Sequence, residues 1–123
     1  MFRGLRTVIY HVNDLARAKQ WYAGALGVSP YFDEPFYVGF NVGGFELGLD
    51  PDAEGVTQGD NAIAYWGVQN ADEALRRLLE LGASRRSDVQ EVGAKIRTAT
   101  VVDPFGNVLG IIENPHFRIE SER

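Results

Sequence analysis

The chain of 123 residues contains no cysteine and no long hydrophobic run. The absence of cysteine excludes disulfide bonds, thiolate metal sites and a cysteine nucleophile, and it is compatible with a reducing compartment. Because no stretch of about 18 apolar residues is present, the sequence predicts no membrane-spanning helix. The beginning of the chain, MFRGLRTVIYHVND, lacks the basic, apolar and small-residue order of a signal peptide. We therefore expect a cytoplasmic protein without a membrane partner.

Basic residues are fewer than acidic ones. The sequence has 12 lysines and arginines against 17 aspartates and glutamates, which gives a formal net charge of −5. Since such a surface gains nothing from a phosphate backbone, we expect no nucleic-acid partner. A cationic ligand would be mildly attracted.

The predicted elements of the first half begin with a strand and a helix. The strand covers Leu5–Val12, and the helix that follows can be capped by Asn13 or Asp14 and ended by a left-handed Gly27. Three strand candidates come next, with the sequences VSPYF, FYVGFNV and FELGL. The first half therefore has the order β-α-β-β-β.

The second half repeats this order after the polar linker Asp50–Asp60. A strand at Asn61–Val68 precedes a helix capped by Asn70, with Glu73 in the position of a capping box. A weak strand candidate, DVQEV, and two strands joined by the turn DPFGN complete it. The halves predict an α+β fold of two tandem units, 5–50 and 61–115, that together make the single domain 1–123. A ferredoxin-type sandwich is the less favoured alternative, because its order has two strands rather than three between the helices.

Three segments and the internal repeat resemble the vicinal oxygen chelate superfamily. The segments are VNDLARAKQWYAGALGV, NADEALRRLLELGA and DPFGNVLGIIENP. This superfamily includes glyoxalase I, extradiol dioxygenases, and the fosfomycin- and bleomycin-resistance proteins. The resemblance covers roughly Leu5 to Pro115. It implies a cupped eight-stranded mixed sheet around a cavity, usually in a homodimer, with a divalent metal on His and Glu side chains in the enzymes.

The metal-ligand positions that the resemblance implies hold few donor atoms. They fall on Thr7, Glu46, Ile63 and Gly110, and only Glu46 carries a carboxylate. A divalent ion generally needs three or four protein donors. We therefore expect the metal site to be lost and no cofactor to be bound. Close backbone packing is the alternative reason for the glycine at position 110.

The resemblance and the alternation of strand side chains together indicate which residues face the cavity. The predicted ligand-binding residues are Thr7, His11, Tyr37, Asn41, Glu46, Tyr65, Thr98 and Thr100. Glycines 39, 48 and 110 would widen the cup around a small organic ligand. The opposite face of each sheet, including Val8 and Phe45, would pack against a helix.

Glu46 is the predicted catalytic residue. A carboxylate on a cavity wall without a metal must pair, stay hydrated or become protonated. We expect it to bind a cation or to act as a general base with a raised pKa. The plainer alternative is that it forms an ion pair with an arginine such as Arg97 or reaches solvent.

Three functional hypotheses follow. The favoured one is a metal-independent homodimer that binds a small organic molecule, with the bleomycin-resistance type as the closest functional model. The second is a glyoxalase-like lyase or isomerase in which Glu46 is the base and His11 or Tyr65 the acid. The third is a structural or regulatory dimer without a ligand, whose cavity is filled by its own side chains.

Overall fold

The computed structural model describes residues 1, 5–52, 54–57 and 63–116. The chain divides into two compact units, Met1–Thr57 and Gln58–Arg123, and each is described by itself. The tandem β-α-β-β-β fold is confirmed, since each unit has a four-stranded mixed sheet and one helix in that order. Among the described residues, no helix has the length and apolar character needed to cross a membrane.

The described residues of the first unit form five elements. They are β1 (Thr7–His11), α1 (Leu15–Leu26), β2 (Phe32–Glu34), β3 (Tyr37–Val42) and β4 (Phe45–Asp50). The sheet order is β1-β4-β3-β2, in which β1 runs parallel to β4 and the other pairs are antiparallel. Asp14 caps α1 by accepting a hydrogen bond from Arg17 N, and Gly27 ends it at a φ of 73°. Both predicted helix ends are therefore confirmed.

Helix α1 covers one face of this sheet, and alternation leaves the other face open. Tyr22 of α1 and Phe40 and Leu47 of the sheet are fully buried between these layers. Val8 and Phe45 were expected to be covered as well, but 41% and 42% of their surface is exposed. Val8 lies on the edge strand β1 and Phe45 beside the β3–β4 turn, where a helix of three turns does not reach.

In the second unit, residues 63–116 also form five elements. They are β5 (Ala64–Gly67), α2 (Ala71–Glu80), β6 (Ser84–Glu91), β7 (Arg97–Val102) and β8 (Val108–Glu113). The sheet order is β5-β8-β7-β6, again with one parallel pair, β5 and β8. The predicted cap is confirmed, because Asn70 Oδ1 accepts from Glu73 N at 3.1 Å. The first two residues of the predicted strand 61–68 lie outside the described residues.

Two strands differ from the sequence prediction. The strand predicted at 28–32 begins only at Phe32 and runs to Glu34. Pro30 has no N–H to donate to a strand ladder, so pairing over the predicted segment is disfavoured. The strand predicted at 88–92 is longer and earlier, Ser84–Glu91, and its pairing with β7 shifts register on either side of Ser87. It is a polar edge strand, so its position depends on pairing with β7 more than on its own composition.

Candidate functional site

The open face of the first unit carries a hydrogen-bonded carboxylate. Glu46 Oε1 accepts hydrogen bonds from Thr7 Oγ1 and from the Tyr37 hydroxyl, both at 3.0 Å. Glu46 Oε2 accepts a further hydrogen bond from the Tyr31 hydroxyl. Thr7 is the direct partner of Glu46 in the parallel β1–β4 register. Three neutral hydroxyl groups therefore hold one carboxylate.

Two paired glycines allow both tyrosines to reach this carboxylate. Gly39 and Gly48 are opposite each other in the β3–β4 register. A Cβ atom at Gly48 would lie 1.9 Å from the Tyr37 hydroxyl oxygen, and one at Gly39 would lie 3.0 Å from Tyr31 Cε1. The rings lie against the bare backbone, an arrangement known from aromatic residues that cover sheet glycines. The prediction that these glycines widen a cavity is therefore wrong, because tyrosine rings fill the space.

The hydrogen bonds decide the charge of this group. The hydrogen bond from Tyr31 holds the pKa of Glu46 below its usual value, against the opposing effect of burial, and Tyr37 and Thr7 add to the lowering. Burial, together with the hydrogen bond to Glu46, raises the pKa of Tyr37 to about 12. The pKa of Tyr31 is also raised, mainly by its hydrogen bond to Glu46. Glu46 is thus an anion held by protonated phenols, and the expected rise of its pKa is contradicted.

The other predicted residues of the first unit serve neighbouring loops. His11 Nδ1 lies 2.9 Å from the Asp52 carbonyl oxygen. Asn41 Oδ1 accepts from Gly44 N at 3.0 Å within the β3–β4 turn. Asn41 is the register partner of Glu46, so it lies beside the carboxylate although it takes no part in that network. Contact of these two side chains with a ligand stays a prediction.

Arg97, the partner considered for Glu46 from the sequence, takes part in ion pairs of its own unit. Arg97 Nη1 donates to Asp72 Oδ2 at 2.8 Å in the second unit. A second carboxylate, Glu113, lies 3.9 Å from the same nitrogen. The described residues therefore place Arg97 in a separate ion-pair network.

In the second unit the open face is filled differently. Tyr65 and Gly110 are partners in the parallel β5–β8 register. A Cβ atom at Gly110 would lie 2.5 Å from Tyr65 Cδ1. The glycine at position 110 is therefore explained by packing under an aromatic ring, which was the alternative to a lost ligand. Tyr65 itself keeps 48% of its surface exposed.

The two predicted threonines of β7 lie on the same face but differ in exposure. Thr100 is 4% exposed, and its hydroxyl lies 2.8 Å from Ser87 Oγ and accepts from Arg86 Nη1 at 3.2 Å. Its hydroxyl therefore joins β6 to β7. Thr98 is half-buried two residues earlier. Ligand contact by either residue stays a prediction.

Backbone hydrogen bonds define equivalent positions in the two units. In each unit the residue two positions before the helix cap donates its N–H to the last strand, to Asp50 in the first unit and to Ile112 in the second. Counting back two residues along β4 and β8 gives Gly48 and Gly110. The acidic side chain of β4 therefore stands two residues away from the position equivalent to Gly110.

The residues at the implied metal positions do not fit a divalent ion. Glu46 is occupied by three hydroxyl donors, Ile63 offers no donor atom, and Gly110 is covered by the Tyr65 ring. Across residues 1, 5–52, 54–57 and 63–116, no group of three or more His, Cys, Asp or Glu side chains is arranged to hold a metal. No chemical step is therefore assigned to a metal here.

Sequence reasoning missed Tyr31 as a member of the site. This residue precedes β2, and its backbone N–H donates to the Gly39 carbonyl at 3.0 Å, which fixes it beside the glycine pair. The signal that could have found it is the recurrence of tyrosine close to strand glycines in the same half of the chain. A glycine inside a strand often marks a place where another group approaches the backbone closely.

Comparison with known proteins defines the class. A model of the glyoxalase-like domain matches residues 7–112. A glyoxalase-related enzyme from Fulvimarina pelagi has a similar structure, with a TM-score of 0.77, 19% identity, and coverage of 96% of this chain and 93% of that one. A glyoxalase/bleomycin resistance protein/dioxygenase family enzyme from Burkholderia phytofirmans has a TM-score of 0.76 and 17% identity, with coverage of 87% of this chain and 95% of that one. Lactoylglutathione lyase from Agrobacterium tumefaciens has a TM-score of 0.75 and 17% identity, with coverage of 94% of this chain and 98% of that one.

The fold class is thus that of the vicinal oxygen chelate superfamily. Within it, the chain belongs to the glyoxalase-like domain family. The search among curated proteins found no match. At these identities the solved structures establish the fold, and the activity must be argued from the residues themselves.

Proposed function

We propose that this protein binds a small organic molecule at the Glu46 face of its first unit, without the divalent metal of the enzymatic superfamily members. The supporting observation is the Glu46 carboxylate with its three hydroxyl donors. Those donors use lone pairs that a metal would need, and they stabilise the ionised form. We also propose that the protein is a homodimer, as the resemblance implies, and that it is cytoplasmic, as expected from its composition.

A glyoxalase-like lyase or isomerase is the weaker candidate. Such an enzyme would use Glu46 as a general base, and an effective base has a pKa near the working pH. Hydrogen bonding lowers the pKa of Glu46 instead. The lactoylglutathione lyase among the structural neighbours shares too little sequence to transfer its chemistry.

A structural or regulatory dimer without a ligand is favoured by one observation. Tyr37 and Tyr65 fill the spaces above Gly48 and Gly110, as expected if the protein's own side chains occupy the cavity. Against it stands the open surface around Glu46, where Tyr31 is 63% exposed. Ligand screening separates the two hypotheses.

Bound metal is the first test. The purified protein is loaded with Zn, Ni, Mn and Fe in turn, desalted and examined by elemental mass spectrometry. We expect less than about a tenth of an equivalent per chain, because a single occupied carboxylate is not a metal site. About one equivalent, lost in Glu46→Ala, would contradict the proposal and return the protein to the metal-dependent enzymes.

Ligand screening is the second test. Thermal shift is measured with small neutral, anionic and cationic organic compounds, since a ligand that binds only the native state raises the melting temperature. The shift should be reduced in Glu46→Gln and retained in Glu91→Gln, which removes an exposed carboxylate from the second unit. A screen in which no compound shifts the wild-type protein would favour the ligand-free dimer.

A further inference from the structure

Four aromatic side chains form an exposed cluster beside Glu46. They are Tyr31, Phe32, Phe36 and Tyr37, which we call the aromatic cluster. Phe32 is central, with ring centroids 6.5 Å from Tyr31, 6.0 Å from Phe36 and 6.1 Å from Tyr37. Tyr31 and Phe36 are 63% and 66% exposed. Grouped exposed apolar side chains of this kind mark surfaces that bind something.

The cluster and the carboxylate share one face of the sheet. Phe32 pairs with Gly39 in the β2–β3 register, and Gly39 is the glycine against which Tyr31 and Glu46 lie. Tyr31 and Tyr37 belong both to the cluster and to the hydrogen bonds on Glu46. A ligand touching the rings therefore lies within reach of the carboxylate.

The negative charge of Glu46 is stabilised by hydrogen bonds but is not neutralised by a positive charge. All three of its donors are uncharged hydroxyl groups, and no basic side chain among the described residues forms an ion pair with it. The same sheet carries two further carboxylates, since Glu34 is the register partner of Tyr37 and Asp50 that of His11. The basic residue next to Glu46 along the backbone is Arg6, whose carbonyl oxygen accepts a hydrogen bond from Glu46 N at 2.8 Å. A cationic ligand would complete this arrangement.

We propose that Glu46 and the aromatic cluster bind an organic ammonium cation that carries an apolar group. The positive head would lie by the carboxylate and the faces of the tyrosine rings, and the apolar part across Phe32 and Phe36. Aromatic faces attract alkylammonium ions through their quadrupole, and this attraction strengthens as water is excluded. The inference rests on the proposed function, since it names the chemical class of the ligand for the same site.

Other ligand classes suit this surface less well. A neutral ligand would take water from the ionised carboxylate without replacing its interactions, which is costly. An anion would be repelled by the Glu46 carboxylate, beside which no basic side chain of the described residues forms an ion pair. A small metal ion would have to exchange its water for donors that Glu46 alone does not supply.

The test compares three probes that share a phenyl ring and differ in charge. They are benzyltrimethylammonium, benzyl alcohol and phenylacetate, each titrated into the labelled full-length protein and followed by NMR at residues 31–37 and 46. We expect benzyltrimethylammonium to bind there with a dissociation constant on the order of 1 mM, as for a fragment of this size. The other two probes should bind at least about fivefold more weakly.

Two variants and a control locate the interaction. Glu46→Gln keeps the shape and removes the charge, although its single amide oxygen can accept from only one of the two phenols, which donate to different oxygens of Glu46. It should weaken binding of the cation about fivefold or more. Phe36→Leu should weaken it about threefold. Glu91→Gln, the matched loss of a carboxylate in the second unit, should leave it unchanged.

The outcomes separate the two claims. Equal binding of all three probes at this face would overturn the cation assignment and leave the proposed small-molecule function intact. If no probe binds at this face and the NMR signals of residues 31–37 and 46 change with protein concentration instead, the face is covered by a second copy of the chain. That result would overturn both the cation assignment and the proposed small-molecule function. Cation binding that Glu46→Gln and Glu91→Gln weaken equally would also overturn the assignment.

Discussion

In the first unit, strand β4 carries Glu46 where strand β8 of the second unit carries Val108. On the neighbouring parallel strand, Thr7 is the register partner of Glu46. In the second unit the corresponding neighbour of Val108 is Ile63, which precedes the paired residues Ala64 and Leu109 by one position. The same backbone position therefore supports a hydrogen-bonded anion in one unit and apolar packing in the other.

The two units also differ in what covers the equivalent glycines. Gly48 lies under Tyr37 from the antiparallel neighbour β3, and the hydroxyl of this ring donates to Glu46. Gly110 lies under Tyr65 from the parallel neighbour β5. Residues 1–57 hold ten of the 14 aromatic residues of the chain. Most of the aromatic residues are therefore in the unit that carries Glu46, and two of them, Tyr31 and Tyr37, donate to its carboxylate.

The largest expected effect is at Gly48. Gly48→Ala places a Cβ atom 1.9 Å from the Tyr37 hydroxyl oxygen, so the ring must leave Glu46. We expect the free energy of unfolding to fall by about 1–3 kcal/mol, as for an overpacked site. Gly24→Ala is the matched control, because nothing lies within 4 Å of its Cβ position in α1, and it should stabilise by about 0.5–1 kcal/mol. Urea denaturation at pH 7 measures both, and equal effects would refute the role given to Gly48.

The second effect is the pH dependence of stability that Glu46 confers. Its pKa is lower in the folded protein, so the unfolded chain takes up the proton first as the pH falls. The contribution of Glu46 is therefore complete above the unfolded pKa of about 4.3 and is lost as the pH falls through the folded pKa. Glu46→Gln should cost about 1 kcal/mol at pH 7.

The comparison of wild type with Glu46→Gln by denaturation at pH 7, 5, 4 and 3 checks this. The difference between the two proteins should shrink towards the acidic end. A difference that grows as the pH falls would mean that the folded state raises the pKa of Glu46, contrary to the hydrogen bonding described.

A third, smaller effect is expected on the alkaline side. Tyr37 has a pKa of about 12 in the folded protein, above its ordinary value of 10.0, so its stabilising contribution is complete below pH 10 and is lost as the pH rises through 12. Ultraviolet titration should show a late-ionising tyrosine that disappears in Tyr37→Phe. If Tyr37→Phe removes a component that ionises at the usual pH, the contact with Glu46 does not persist in solution.

The smallest effect is at Thr7. Thr7→Val removes one of the three donors to Glu46, and we expect a loss of about 0.5 kcal/mol because the group is exposed. Thr98→Val, at the half-buried β7 position of the second unit, is the control and should change stability by less. Denaturation at pH 7 and at pH 3 distinguishes them, since only the Thr7 effect requires an ionised carboxylate.

The local features of the fold could be predicted from the sequence. The caps Asp14 and Asn70 and the helix end at Gly27 depend on residues a few positions apart, and all three are confirmed. The strand β6 was placed too late, because a polar edge strand carries little pattern of its own. The repeat itself was visible because both units use the same cap and strand order.

The site was only partly predictable. Thr7 and Glu46 were predicted from the family resemblance and Tyr37 from strand alternation, and the three side chains meet in one network. Tyr31 was missed because its contact with Glu46 joins residues 15 apart across a turn and two strands. The direction of the Glu46 pKa was also wrong, since it depends on hydrogen bonds that a face assignment does not reveal.

The central claim is that Glu46 is a hydroxyl-bound carboxylate rather than a general base or a metal ligand. The most direct test is the pKa of the Glu46 carboxyl group, followed by NMR through the chemical shift of its carboxyl carbon. Glu46→Gln assigns the signal, and the titration is made with and without added Zn²⁺. We expect a value below the ordinary 4.3 or so and no change on adding the metal. A value of about 6–7, or a signal that moves at one equivalent of Zn²⁺, would contradict the account.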